Sequence, residues 1–305
     1  MKAARIHSYG QEPLIEEAAV PDVGPAEVLV RVGAASLNPL DVKLQQGVMS
    51  AFFLLRFPYT LGTDLAGTIE QLGAEVSGWC VGDRVVARTD PTSGGALAEL
   101  AAVPASYLVR IPDTLTLEQA AGIPTAGGTA WQALLEVADL KPRQTILVQA
   151  GAGGVGSFAI QLARSIGARV IATASGSGIE IARRLGADQV IDYREQNFAE
   201  ELADLDVVLD TIGGETQRRS LEVLRAGGAL VATVSAPDEP LAKAHKVRAS
   251  FVFHTSDASR LAKVVESVRG GTKVLIDRVV KLTSVLDAFT YQGLGRARGK
   301  IILIP

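Results

Sequence analysis

A chain of 305 residues, 48% hydrophobic and 21% charged, has the composition of a soluble globular protein, and at roughly 150 residues per domain it is long enough for two. Thirty Lys+Arg against thirty-three Asp+Glu leave a net charge of −3, without the basic excess that a nucleic-acid partner requires. The single cysteine, Cys80, excludes an intrachain disulfide and a multi-thiolate zinc site. His7, His245 and His254 are the only histidines. The segment from Met1 to His7 holds no apolar signal core, and nowhere do eighteen apolar residues run together. The expectation is a cytoplasmic protein without metal, membrane or nucleic acid.

Up to about residue 120 the chain reads as short β segments punctuated by glycine and proline. Glu27–Val32 follows Gly24-Pro25, then come Leu65–Glu70 and Asp83–Ala87; such close spacing predicts a mostly antiparallel β unit. Helical spacing begins at Leu117–Ala121 and Thr129–Leu135. From residue 145 apolar strands alternate with amphipathic helices. Strands are predicted at Thr145–Gln149, Arg169–Thr173, Gln189–Asp192, Asp206–Asp210 and Ala229–Val234. Helices are predicted at Gly154–Ser165, Ile179–Leu185, Phe198–Ala203 and Gln217–Leu224. Nearly all-apolar strands such as Val207-Val208-Leu209 imply burial on both faces, hence a parallel sheet covered by helices. A strand at Ala249–Phe253 and a helix at Ser259–Val268 follow, and Val274–Ile304 returns to β-rich sequence. The simplest layout is an α/β chain in which a doubly wound parallel sheet is inserted into a β-rich domain, with 121–260 as the insert and 1–120 with 261–305 as the host.

The strongest chemical signal is Gly151-Ala152-Gly153-Gly154-Val155-Gly156, directly after a strand and opening a helix. A lone glycine triplet of this spacing is weak; placed between strand and helix it points to a dinucleotide diphosphate. Gly151 is expected to allow the tight turn, Gly153 to let backbone approach the diphosphate, and Gly156 to let the helix lie close. The helix start then offers free N–H groups and a positive dipole end. About twenty residues on, an NAD site places an acid for the ribose hydroxyls. Here that stretch is Ala174-Ser175-Gly176-Ser177-Gly178, with no acid, and Glu180 lies too far along. Ser175 and Ser177 suit a 2′-phosphate, although no Arg or Lys sits in the turn and Arg183 and Arg184 read as solvated. The expected cofactor is NADPH.

Several further segments carry a resemblance: Ser36–Lys43, Leu61–Gly67, Val81–Val85, Gly94–Glu99, the Gly151 loop, Leu185–Asp188 and Arg298-Gly299-Lys300. Together they make the chain similar, nearly end to end, to the zinc-independent quinone oxidoreductases (zeta-crystallin-like) of the medium-chain dehydrogenase/reductase superfamily. The resemblance implies a GroES-like catalytic domain, an inserted Rossmann cofactor domain, a cleft between them and a homodimer. Zinc-dependent relatives have a cysteine ligand where this chain has Asn38, and a four-cysteine lobe where it runs straight on to Gly94-Gly95. Without a Lewis acid, reduction of a quinone or α,β-unsaturated carbonyl is expected rather than alcohol oxidation. An enoyl-thioester reductase of the same fold and a non-catalytic NADPH-binding protein are the alternatives.

The candidate residues each carry two readings. Asn38 is either the N-cap of a helix with Pro39 at its first position and Asp41 in its first turn, or a side chain beside the nicotinamide; the two are compatible. Lys43 either reaches ligand or is a solvated helix lysine. Thr129, with Thr125 across Gly127-Gly128, matches the family's threonine near the nicotinamide. Tyr193 matches a family tyrosine beside the adenosine phosphate, or caps the sheet. Ile212-Gly213, Val234-Ser235 and Phe253 follow strands at the carboxyl edge, where nucleotides lie; Phe253 suits core equally well. Arg298 and Lys300 either meet the cofactor or decorate a turn, and His254 reads as structural.

Overall fold

In the computed structural model, which describes residues 1–305, the short segments before residue 111 become the strands of two sheets. They are β1 (Lys2–Ile6), β2 (Leu14–Glu17), β3 (Glu27–Leu37), β4 (Tyr59–Thr60), β5 (Asp64–Leu72), β6 (Arg84–Arg88), β7 (Leu100–Pro104) and β8 (Val109–Arg110), with helix α1 (Pro39–Gln45) after β3. β2, β1 and β4 form an antiparallel three-stranded sheet. The eleven-residue β3 is the spine of the larger sheet, pairing antiparallel with β5 and β7. Helices α2 (Leu117–Ala121) and α3 (Pro124–Trp131) follow, and α3 runs into a π-helical turn at Gln132–Val137.

Alternating strands and helices then build one six-stranded parallel sheet. Its members are β9 (Thr145–Val148), α4 (Gly154–Ile166), β10 (Arg169–Ala174), α5 (Ser177–Arg184), β11 (Gln189–Asp192), α6 (Phe198–Glu201), β12 (Leu205–Asp210), α7 (Gly214–Glu222), β13 (Leu224–Ala232), α8 (Glu239–Ala244) and β14 (Arg248–Phe251). The strand order is β11-β10-β9-β12-β13-β14, and every pairing is parallel. Order reverses at β9, the switch point beside which ligands bind in doubly wound sheets. Ile146, Leu147, Val148, Val207, Val208 and Leu209 are buried, as two covered faces demand. This is the Rossmann fold expected from the alternation.

The chain ends with α9 (Ala258–Arg269), β15 (Ile276–Lys281), α10 (Val285–Gly293) and β16 (Lys300–Ile304). The tail is therefore not purely β: Val285, Ala288 and Phe289 recur at helical spacing and bury one side of α10 in the core that also holds Ile301 and Leu303. β16 pairs antiparallel with β3, extending the GroES-like sheet. Two compact units result: residues 1–125, 255–270 and 274–305, and residues 126–254 with 271–273. The sequence expectation drew its divisions at 120/121 and 260/261.

Candidate active site

The β-rich unit holds a buried polar cluster drawn from distant parts of the chain. Asn38 follows β3 and stands at the N-cap of α1, in a capping box with Asp41. Its backbone carbonyl accepts from Asp41 N–H at 3.0 Å, and its own N–H donates to Asp41 Oδ2 at 2.7 Å. Asn38 Nδ2 donates to Asp64 Oδ2 at 3.0 Å, and Asn38 Oδ1 accepts from the Lys300 ammonium. Asp64, the first residue of β5, also accepts from Thr125 N–H at 3.0 Å and from Thr125 Oγ1 at 2.6 Å. Arg88, facing Asp64 across the β5–β6 pair, donates to Thr125 Oγ1 and to Ser256 Oγ.

Four charged side chains thus lie out of water, where each needs an opposite charge or a bond to remain ionised. Burial, and then the neighbouring Asp64, pushes the Asp41 carboxyl up to about 7; the Asn38 N–H, Lys300 and Arg88 pull the other way. Asp41 Oδ1 has no hydrogen-bond partner, which suits a carboxyl that carries a proton. Burial draws the Lys300 ammonium down, opposed by Asp64 and Asp41. The same desolvation lowers Arg88 from its ordinary value. Lys43, by contrast, is half-exposed at the last turn of α1.

Of these residues, sequence reading singles out Asn38, Asp41, Thr125 and Lys300 and assigns no role to Asp64 or Arg88. The available signal was a charge at the end of each of two apolar strands. Lys300, expected at a cofactor or a turn, has its ammonium on Leu37 O at 3.2 Å and on Asn38. Arg298 stays half-buried, its N–H donating to Asp277.

In the parallel-sheet unit the glycine-rich loop joins β9 to α4. The left-handed residue is Ala150, at φ +51°, and not Gly151. The tight turn therefore falls one residue earlier than expected. Gly151 is needed for packing instead, because a Cβ there would lie 2.8 Å from Ala172 Cβ. Gly156 is the tightest: its Cβ would stand 2.2 Å from Ala150 O. At Gly153 a Cβ would approach only Ala150, at 3.2 Å or more, so that position opens outward. No side chain caps α4 at Gly153, and the start of this thirteen-residue helix offers N–H groups to an anion. Behind the loop, Gln149 Oε1 accepts from Thr173 Oγ1, which in turn accepts from Ala150 N–H.

At the ends of β10 and β11, Ser175 Oγ donates to Tyr193 OH at 2.9 Å. Ser177 opens α5, earlier than the helix start expected at Ile179, and Gly176 at φ +54° makes the turn into it. At the ends of β12 and β13, Ile212 and Val234 are exposed apolar side chains. Buried Asp210 holds the Ile212 and Gly213 N–H groups at 2.9 Å, and a Cβ on Gly213 would meet Ser235 and Val234. Thr129 is buried in α3, Phe253 is half-buried, and His254 packs its ring where Gly128 lacks a side chain. The unit thus presents a strand-end surface with an open helix start, hydroxyls and apolar residues but no acid in the β10–α5 turn. That donor set fits NADPH.

Comparison with known proteins gives this architecture its class. Residues 24–113 match the alcohol dehydrogenase GroES-like domain, and residues 185–303 match a domain described as zinc-binding dehydrogenase. The chain is 36% identical to the 2-methylene-furan-3-one reductase of Solanum lycopersicum, over all of this chain and 79% of that protein. It is 35% identical to the chloroplastic NADPH-dependent alkenal/one oxidoreductase of Arabidopsis thaliana, over all of this chain and 80% of that one. The quinone oxidoreductase of Coxiella burnetii superposes with a TM-score of 0.93 at 30% identity, covering 100% of this chain and 99% of that one. The chain belongs to the medium-chain dehydrogenase/reductase superfamily, among its quinone and alkenal oxidoreductases.

The zinc in one domain's description finds no ligand set. No group of three His, Cys, Asp or Glu side chains is placed to hold an ion, and the buried Asp64 carboxylate faces the Lys300 ammonium at 3.9 Å.

Proposed function

We propose that this protein is a zinc-independent oxidoreductase that uses NADPH to reduce a quinone or an α,β-unsaturated carbonyl. The observation that carries the reading is the Asn38 carboxamide, set between an ammonium and a carboxylate with no group of three metal-ligating side chains around it. When bound, NADPH supplies a hydride. The loop from Gly151 through Ala152, Gly153, Gly154 and Val155 to Gly156 holds the diphosphate. Ser175, Ser177 and Tyr193 take the 2′-phosphate. Ile212, Gly213, Val234 and Ser235 lie along the rest of the nucleotide.

As the acceptor gains two electrons, negative charge grows on its oxygen. Asn38 orients that oxygen by donating an N–H, and preformed donors of this kind act where charge develops. Below about pH 7, where Asp41 holds its proton, Lys300 and Arg88 outnumber Asp64, so the cluster is positive where the acceptor becomes negative. Solvent delivers the final proton; an enolate or hydroquinone anion needs no obligatory side-chain acid. The protein's single cysteine is exposed, which suits a reducing compartment such as the cytoplasm. β14 is an edge strand with Phe251 exposed, a surface suited to pairing in a homodimer.

A panel of quinones, enals, enones and enoyl thioesters, followed by NADPH oxidation, tests the reading. Turnover of quinones or free enones supports it. Preference for the thioester by more than about ten-fold in kcat/KM, or NADPH binding with no turnover of any acceptor, overturns it.

A further inference from the structure

We infer that Lys300 is a positioning residue of the acceptor site: its buried ammonium clamps Asn38 Oδ1, fixing and polarising the carboxamide that meets the acceptor oxygen. The inference rests on the reading above and adds a residue whose side chain touches neither cofactor nor acceptor.

The fold delivers this lysine to one place. β16 pairs antiparallel with β3 so that Ile301 faces Leu37, which puts Lys300 opposite Asn38 at the end of the ladder. Gly299, at φ +106°, is where the chain turns in, and a Cβ there would stand 2.4 Å from Leu275 O. Lys300 N–H then donates to that same carbonyl at 2.8 Å. The backbone is held on one side and the side chain on the other. The ammonium has three donors and no acceptor. Leu37 O takes one, Asn38 Oδ1 another, and Asp64 balances the charge from 3.9 Å. Two of its three N–H groups are thus spent within the protein, on an ammonium that is itself buried.

The clamp also decides which way the carboxamide faces. With Oδ1 toward the ammonium and Nδ2 toward the Asp64 carboxylate, both contacts are favourable. The flipped amide would set N–H against ammonium and oxygen against carboxylate. One Nδ2 hydrogen is used on Asp64 at 3.0 Å. The other has only Ser36 O at 3.5 Å, the outer limit of a hydrogen bond, and is the donor left for an acceptor. A cation on Oδ1 withdraws electron density along the amide and strengthens that donor.

The chain has two asparagines, Asn38 and Asn197, so protein labelled with [15N]asparagine gives two side-chain amide pairs in an NMR spectrum. Asn197 sits at the start of α6, where its side chain accepts a capping bond, and serves as internal reference. In Lys300→Met the Asn38 pair should shift and exchange faster with solvent while the Asn197 pair stays put. kcat/KM for the best acceptor should fall about 10- to 100-fold, the scale of one lost orienting contact. NADPH affinity by fluorescence titration should stay within about two-fold of wild type. Because Lys300→Met also changes the net charge of the cluster, the double variant Lys300→Met/Asp64→Asn returns it to its original value; it should not recover kcat/KM.

An Asn38 pair unchanged in Lys300→Met overturns the clamp. So does a double variant that recovers full activity, which would make Lys300 a mere counter-ion. A loss confined to NADPH affinity would make it a cofactor ligand instead. If wild type turns over no acceptor, the functional reading fails, while the amide spectrum still decides whether Lys300 holds Asn38.

Discussion

The glycine-rich loop and the Asn38 cluster solve opposite problems. The loop works through atoms it lacks: of six consecutive residues, 151–156, four are glycine, so that backbone can meet a ligand. The cluster works through side chains it cannot lose: Asn38, Asp64, Arg88 and Lys300, spread over most of the chain and buried, with the half-buried Thr125 bonded to them. A loop of the first kind is sensitive to volume and indifferent to charge elsewhere. A cluster of the second kind tolerates small changes in shape but not an unpaired charge. One chain therefore carries two sites that fail in different ways, and variants can tell them apart.

The largest effect should come from the cluster. Asp64→Ala removes the carboxylate shared by Asn38 and Thr125 and leaves the Lys300 ammonium buried without its counter-charge. The expected cost is about 3–5 kcal/mol of stability, the usual consequence of orphaning one partner of a buried pair. Urea unfolding measures it; a cost below about 1 kcal/mol would mean that water reaches the cluster. In the loop, Gly153→Val should leave stability nearly intact, because only Ala150 lies near its Cβ. NADPH affinity should nevertheless drop by about 100-fold or more, roughly 2.7 kcal/mol. Gly156→Ala should do the reverse, its methyl driven into Ala150 O at 2.2 Å and the fold itself weakened. If both glycine variants behave alike, the loop does not divide its glycines between ligand and packing.

The same contrast explains what the sequence could reveal. The loop and the alternation that places it are local, so Gly151–Gly156 and the parallel sheet are legible in order along the chain. The left-handed turn at Ala150 is not, because no glycine marks it and the Gln149–Thr173 bonds behind the loop join separate strands. Asn38 stands out through the Asn-Pro-Leu-Asp helix start, but capping chemistry predicts a side chain bonded to its own helix. The structure keeps a capping box with Asp41 and also sends the carboxamide to Asp64 and Lys300. These contacts depend on the β3–β5 and β3–β16 registers, which no local pattern encodes. Helix α10 was hidden in the tail because the short Val285–Gly293 segment lies between two runs with stronger β character.

Asp41 sharpens the comparison by pH. Its carboxyl moves from an ordinary 3.8 up to about 7 in the folded chain, among Asp64, Lys300, Arg88, Tyr59 and the Asn38 N–H. Between these values the native state keeps a proton that the unfolded chain releases. Stability from this group therefore falls as pH rises through that window, by at most about 1.4 kcal/mol per pH unit. Asp41→Asn stays neutral and can still accept from the Asn38 N–H. Its stability relative to wild type should rise from about pH 4 to about pH 7 and then level off. Urea midpoints at pH 5, 6, 7 and 8 would show this; a difference that does not change with pH would mean that Asp41 is ionised in the fold. Gly153→Val, in the uncharged loop, should show no such trend.

The smallest expected effect lies at the far end of the cofactor. The β10–α5 turn has no carboxylate to repel a 2′-phosphate, but it has no guanidinium to pair with one either. Its donors are hydroxyls, and Ser175 already gives its hydrogen to Tyr193 at 2.9 Å. The Tyr193 hydroxyl hydrogen is then the one this pair directs outward, from a side chain 55% exposed. Hydrogen bonds made by neutral groups in water-accessible positions are worth about 1 kcal/mol. NADPH should therefore bind only about ten-fold more tightly than NADH, roughly 1.4 kcal/mol. Added salt should change the ratio little, since no fixed cation in the turn is there to be screened. Tyr193→Phe should narrow the ratio toward one by weakening NADPH and leaving NADH unchanged. Fluorescence titration of both nucleotides decides the matter. Equal or reversed affinities in the wild type would show that the Ser175–Gly178 turn does not read the phosphate at all.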